Sequence, residues 1–248
     1  MHRRSMRFLF PVLAAITLGY GFQAARKPAL SSDPLIAGFQ QTTVASAADA
    51  VDQIVGRRGF MSHDMRPRVD GKFVGRAVTA LMRQSTPELS TPQLSAKYSV
   101  AMIDAAKPGE VGVIVIENGL DVAGLGGLMG TAAKARNMAG IVIDGGVRDV
   151  PEVRSLGLPV YARSVVPSSS VGRYATVANQ IPVQCAGVEV RPGDLIVAGE
   201  DGVVVVPQDK AQEVLKRAQE IDERESKMVP IIQKLKALGK AIEQFNRI

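Results

Sequence analysis

Cysteine, histidine and tryptophan are scarce or missing in this chain of 248 residues, which holds one cysteine, two histidines and no tryptophan. A single cysteine, Cys185, excludes an intrachain disulfide. Outside the first few residues, a zinc site of nitrogen and sulfur ligands has only His63 and Cys185 to draw on, too few for that metal. A Ser-His-Asp triad would have to use His63, and there is no G-x-S-x-G elbow to present its serine. Any metal is therefore expected on oxygen ligands, which points to Mg²⁺, Mn²⁺ or Ca²⁺. Aromatic residues make up only 4% of the chain. That is poor material for a surface that stacks sugars or bases.

Strong charge is also missing from most of the chain. The formal net charge is +6, but Arg3, Arg4, Arg7, Arg26 and Lys27 lie in a stretch without acids. Removing those five from the 30 basic residues leaves 25 against 24 acidic ones. A nearly neutral body has no field to attract phosphates, so a nucleic-acid partner is not expected.

The basic start is followed by an apolar run of 15 residues, Phe8 to Phe22, and then by small and polar residues. This is the layout of an export signal, and the run is shorter than the ~20 residues of a spanning helix. Ala24, Ala25 and Ala29 are candidate cleavage positions, and an uncleaved anchor is the alternative. The expectation is a leader over residues 1–30 and an exported or anchored protein, or a cytoplasmic one if the stretch is not a leader.

What is present is aliphatic, since 46% of residues are hydrophobic, enough for a sizeable core. Apolar spacing predicts a helix over 42–58, with Val44, Ala47, Ala48, Val51, Ile54 and Val55 on one face, and another over 91–106. Strands are predicted at Phe73–Leu81, Gly112–Ile116, Gly140–Asp144, Pro159–Arg163, Leu195–Ala198 and Val203–Pro207, with further strand in Val183–Val190. Helices are expected over 131–140 and in the run Pro151–Gly157. The alternation is that of an α/β domain, placed at residues 40–208. Residues 209–248 are charged and helical, with a break or kink expected at Pro230.

Three segments can carry chemistry. The first, Gly124-Leu-Gly126-Gly-Leu-Met129, almost spells a dinucleotide fingerprint, with Asp144 ending the next strand. Met129 stands where the third glycine belongs, and the strand before Gly124 is too distant for a tight turn. A simpler reading remains: Gly126, Gly127, Leu128 and Met129 open a helix whose free N–H groups can seat a carboxylate or phosphate. The glycines can equally serve only the bend.

The second segment is Gly145-Gly146-Val147-Arg148-Asp149. Here Asp149-Val-Pro-Glu152 matches a capping box, in which Asp149 would merely start its own helix. Alternatively, Arg148 offers a fork for a carboxylate or carbonyl oxygen, and Asp149 a hard oxygen for a divalent ion. The third segment holds the tail acids Glu220, Asp222, Glu223 and Glu225, whose ordinary reading is a solvated face.

The run GGLMGTAAKARNMAGIVIDGGVRDVPEVRSLGLPVYAR, Gly126 to Arg163, closely resembles the RraA-like family. That family includes 4-hydroxy-4-methyl-2-oxoglutarate aldolases and regulators of ribonuclease E. Ala48–Val51 (ADAV), Val74–Thr79 (VGRAVT) and Arg191–Pro207 (RPGDLIVAGEDGVVVVP) extend the resemblance to roughly residues 40–225. It implies a swivelling β/β/α core, a homotrimer or dimer of trimers with sites at subunit borders, and a lyase using Mg²⁺ or Mn²⁺ on 2-oxo acids. Carried onto this sequence, the backbone of Gly126–Met129 would hold the substrate carboxylate. Arg148 would bind the 2-oxo acid, and Asp149 would carry the metal. Aldolases of the family often have an acidic or other polar residue in the place of Gly127, and they take an acid from a neighbour's carboxy-terminal helix. Glu223 or Glu225 is the candidate for that role here. The resemblance also allows a non-catalytic, protein-binding regulator, and a class I lyase would instead need a Schiff-base lysine such as Lys134.

Overall fold

The computed structural model describes residues 31–245, so the expected leader lies outside the described residues. Along the chain come α1 (Pro34–Gln41), α2 (Val44–Val55), β1 (Arg66–Val69), β2 (Phe73–Gln84), α3 (Pro92–Ser95), α4 (Lys97–Ala105), β3 (Val111–Ile116) and β4 (Ala123–Leu125). Then follow α5 (Gly127–Ala135), β5 (Gly140–Val147), α6 (Val150–Ser155), β6 (Val160–Val165), β7 (Tyr174–Asn179), β8 (Val183–Cys185) and β9 (Val188–Val190). The chain ends with β10 (Leu195–Gly199), β11 (Gly202–Val206), α7 (Ala211–Leu235) and α8 (Leu238–Phe245).

A 9-stranded sheet in the order β1-β6-β5-β3-β2-β10-β11 organises these elements, with β4 added to β5 and β7 to β2. Its centre, β2-β3-β5-β6, is parallel, and β1, β7, β10 and β11 pair antiparallel to their neighbours. Parallel strands are covered on both faces and therefore read as unbroken apolar runs. All six residues of β3 and all five of β10 are buried. One face packs on α4, α5 and α6 through Ile114, Ile141, Ile143 and Val153, each fully buried. The other face is closed by the β8–β9 hairpin, and α1, α2 and α7 cover β10 and β11.

Several local expectations change in three dimensions. The strand expected to end at Asp144 runs on through Gly145 and Gly146 to Val147. Both glycines serve packing: a Cβ on Gly145 would lie 2.7 Å from Ile116 Cδ1, and one on Gly146 would lie 2.6 Å from Val166 Cγ2. The helix expected over 131–140 instead starts at Gly127 and stops at Ala135. The one expected over 91–106 is divided at Ala96. No break occurs at Pro230, because α7 continues through it and ends at Lys236, which takes a left-handed conformation (φ 51°). α1, β1, β4 and β7 were not foreseen. They are short or irregular, and their pairing is decided by distant partners such as β6 and β2.

A polar tie joins the sheet to its hairpin. Arg163 donates to Asp64 at 2.7 Å and to Asp144 at 2.9 Å, while Asp144 also accepts the Ala186 N–H. Asp144, the residue that would have held a ribose in the dinucleotide reading, is committed to this network. Burial pushes the Asp64 carboxyl up, but the Ser62 hydroxyl and Arg163 outweigh it and leave the group below its ordinary pKa. Arg163→Met should therefore destabilise the fold by about 2–3 kcal/mol in urea unfolding at neutral pH. A carboxyl with a depressed folded pKa contributes stability above its unfolded value and loses it on acidification. The penalty should accordingly shrink as pH falls through the carboxylate range.

Candidate functional site

The parallel strands β4 and β5 lie side by side, and each turns directly into a helix. Gly126 alone links β4 to α5, and Arg148-Asp149 links β5 to α6. The two junctions are tied by the Arg148 N–H, which donates to Leu125 O at 3.0 Å. α5 and α6 pack through Gly130, where a Cβ would lie 3.3 Å from Val153 Cγ2. Two helix starts therefore converge at the carboxyl edge of a parallel sheet, where open α/β sheets take ligands.

Asp149 precedes α6 but does not cap it. Its backbone is left-handed (φ 53°, ψ 37°), and its side chain makes no bond to the helix it begins. A side-chain cap needs an extended residue, so the left-handed turn aims the carboxylate elsewhere. Its Oδ2 accepts the Gly127 N–H at 2.9 Å, on the other helix. The capping-box reading is thus corrected: Asp149 terminates α5, across the junction. Asp is among the residues that tolerate this conformation best.

Close approach explains Gly126. Its φ of −138° is ordinary, but a Cβ there would lie 2.7 Å from Asp149 Oδ2 and 3.0 Å from Arg148 Nε. At Gly127 a Cβ would run into Glu152 Oε2. The acid that sequence reading assigned to a cap therefore leans across the first residue of α5. The Asp-x-x-Glu spacing was the visible signal for it, and it pointed to the wrong helix.

With Gly127 engaged, the N–H groups of Leu128 and Met129 meet no acceptor among the described residues. They open onto a cleft of about 470 Å³ shared by Gly126, Arg148, Asp149 and Glu152. Its far wall is Ser169, Ser170 and Val171 with Pro92, Ser95 and Ala96, which lie too far apart in sequence to be recognised as one surface. Arg148 Nε is 3.7 Å from Asp149 Oδ2, and both side chains are about 40% exposed (41% and 40%), so each keeps unused bonding capacity toward the cleft. A second hollow of about 360 Å³ lies against the other side of Arg148 and Asp149.

The remaining candidates are elsewhere. Lys134 is exposed and donates to Gly157 O at 3.2 Å, outside the cleft. Cys185 is buried, and burial followed by the nearby Asp144 pushes its thiol pKa up. Glu223 pairs with Lys227 at 2.6 Å, and neither Glu223 nor Glu225 lines the cleft of its own chain.

The sequence matches the family described as Aldolase/RraA over residues 44–205. The chain belongs to the RraA-like family. Among curated relatives, protein DlpA of Legionella pneumophila is 32% identical over 203 residues, 81% of this chain and 31% of that protein. A Thermus thermophilus protein named 4-hydroxy-4-methyl-2-oxoglutarate aldolase is 33% identical over 98 residues, 39% of this chain and 59% of its own. The chain spans 56%, 62% and 31% of the length of three of the curated relatives it matches, and 78% of a Deinococcus radiodurans relative. Among solved structures, Streptomyces coelicolor RraAS2, described as an unusual member of the RNase ES inhibitor RraA protein family, superposes with a TM-score of 0.70 at 28% identity, covering 81% of this chain and 98% of that one. The RraA-like residues matched include both βα junctions and the Ser169 wall of the cleft.

Because Asp149 caps α5 and not α6, Asp149→Ala should speed hydrogen exchange at the first turn of α5 while leaving α6 little changed. The stability loss should be about 1 kcal/mol. Faster exchange confined to α6 would contradict the assignment.

Proposed function

We propose that the chain is a metal-dependent carbon–carbon lyase that releases pyruvate from 4-hydroxy-4-methyl-2-oxoglutarate or a related 2-oxo acid, with oxaloacetate decarboxylation as a side activity. The observation that carries this reading is the pair of unpartnered α5 amides, Leu128 and Met129, facing the same cleft as Arg148 and Asp149. The aldolase name of relatives supports it.

Cleaving the bond beside a 2-oxo group leaves negative charge on the enolate oxygen, and most of the barrier is the cost of that charge. The N–H groups of Leu128 and Met129, at the positive end of the α5 dipole, bind the substrate's carboxylate. Arg148 places a permanent cation where charge develops, preorganised by its position in the β5–α6 link. No cluster of three or more His, Cys, Asp or Glu side chains suited to a metal exists among the described residues. One carboxylate from Asp149 therefore suits an ion that keeps most of its water, such as Mg²⁺ or Mn²⁺. Bound there, the ion would supply further positive charge to the 2-oxo and carboxylate oxygens.

The same proposal includes self-association into a homotrimer or dimer of trimers. Leu128 in the cleft is 90% exposed, Val171 in the same cleft 39%, and Val165 of the neighbouring hollow 54%, apolar surface that a second subunit would cover. Glu223 or Glu225 of that subunit is then the candidate for a further acid at the site. A second reading, a protein-binding regulator, is favoured by the likeness to the RraAS2 structure.

Pyruvate release from both acids should require added Mg²⁺ or Mn²⁺ and stop with EDTA. Arg148→Ala should lower kcat/KM by about 10²–10³-fold. Full activity in EDTA, or in the Arg148→Ala protein, contradicts the proposal, and inactivation by borohydride with pyruvate would favour a Schiff-base lysine instead.

A further inference from the structure

Retro-aldol cleavage needs a group that takes a proton from the substrate's hydroxyl and returns one to carbon. The cleft offers few choices. Its titratable side chains are Arg148, Asp149 and Glu152, and no His, Lys, Cys or Tyr lines it. Arg148 carries only N–H donors and has no acceptor to take the proton. Asp149 is engaged with the Gly127 N–H at 2.9 Å and lies beside Arg148. The Ser95 and Ser170 hydroxyls are bonded to each other at 2.7 Å, and Ser169 Oγ accepts the Val171 N–H at 3.2 Å. The Glu152 carboxylate, by contrast, has no hydrogen-bond or ion-pair partner among the described residues, and it leans over Gly127 at the start of α5. The absence of a side chain at 127 is what leaves it that space.

We propose that Glu152 is the proton carrier of the lyase reaction, an assignment that rests on the lyase reading above. The Glu152 carboxylate accepts the proton of the substrate's 4-hydroxyl. The 4-oxygen becomes a carbonyl as the C3–C4 bond breaks, and that electron pair moves into C2–C3, leaving the enolate of pyruvate. The proton held on Glu152 then passes to C3, giving the methyl group of pyruvate and restoring the carboxylate. No oxidant or further reactant is consumed.

Oxaloacetate separates this role from a structural one. Its decarboxylation gives the same enolate but has no hydroxyl to deprotonate, and the enolate can draw a proton from water through the open mouth of the cleft. With the full chain and saturating Mg²⁺, Glu152→Gln should lower kcat for 4-hydroxy-4-methyl-2-oxoglutarate by about 10²–10⁴-fold with KM little changed. Oxaloacetate decarboxylation, which needs only the second of the two proton transfers, should lose at least about tenfold less. Glu152→Asp should recover part of the lost rate. Equal losses on both substrates, or no loss on either, would overturn the assignment while leaving the lyase reading intact. An unmodified protein that releases pyruvate from neither acid would overturn both.

Discussion

One hydrogen bond, from the Gly127 N–H to Asp149 Oδ2, holds the site together. It crosses between two adjacent βα junctions and fixes the start of α5 against the β5–α6 link. Without it the two helices would still pack through Gly130 and Val153, and the Arg148 N–H would still tie the junctions to each other, but no side chain would hold the first amide of α5. The left-handed backbone of Asp149 makes the bond possible, because it turns the carboxylate away from the helix that follows. The missing side chain of Gly126 is the matching requirement, since any Cβ would displace that carboxylate and the Arg148 stem.

The charges at this locus bear on both proposed readings, the lyase and the binding protein. One arginine and two carboxylates line the cleft, with unpartnered amides beside them. On the proposed lyase reading, a dication would add the positive charge that an enolate needs. On the regulator reading, the same half-exposed groups and the exposed Leu128 would instead offer a surface to a protein partner. The scaffold beneath is the same in either case, so the function is argued from these few side chains and not from the sheet.

Much of this was legible in the chain itself, for identifiable reasons. The buried parallel strands show as apolar runs, so β3, β5 and β10 were readable. The VIDGGVRD stretch carried the family. Arg148, Asp149 and the Gly126–Met129 turn stood out by residue type, were named as site residues through the family resemblance, and line one cleft. At Pro230, where a break or kink was expected, the helix is not broken, and the buried Ile221 and Met228 pack α7 onto the fold just ahead of the proline. Glu152 was hidden because its spacing from Asp149 also describes a helix cap, and spacing cannot say which helix a side chain faces.

By itself, then, the amino-acid sequence determined the α/β class, the aliphatic core, the exclusion of zinc and disulfide chemistry, and the residue types available for catalysis. These follow from composition and local periodicity, which need no partner. Only the tertiary structure decided that Asp149 caps α5, that the paired glycines of β5 are there for packing, and that Ser169 lines the same cleft as Arg148. Each of these depends on a backbone conformation or a contact between segments far apart in the chain, and such contacts exist only once the sheet has brought those segments together.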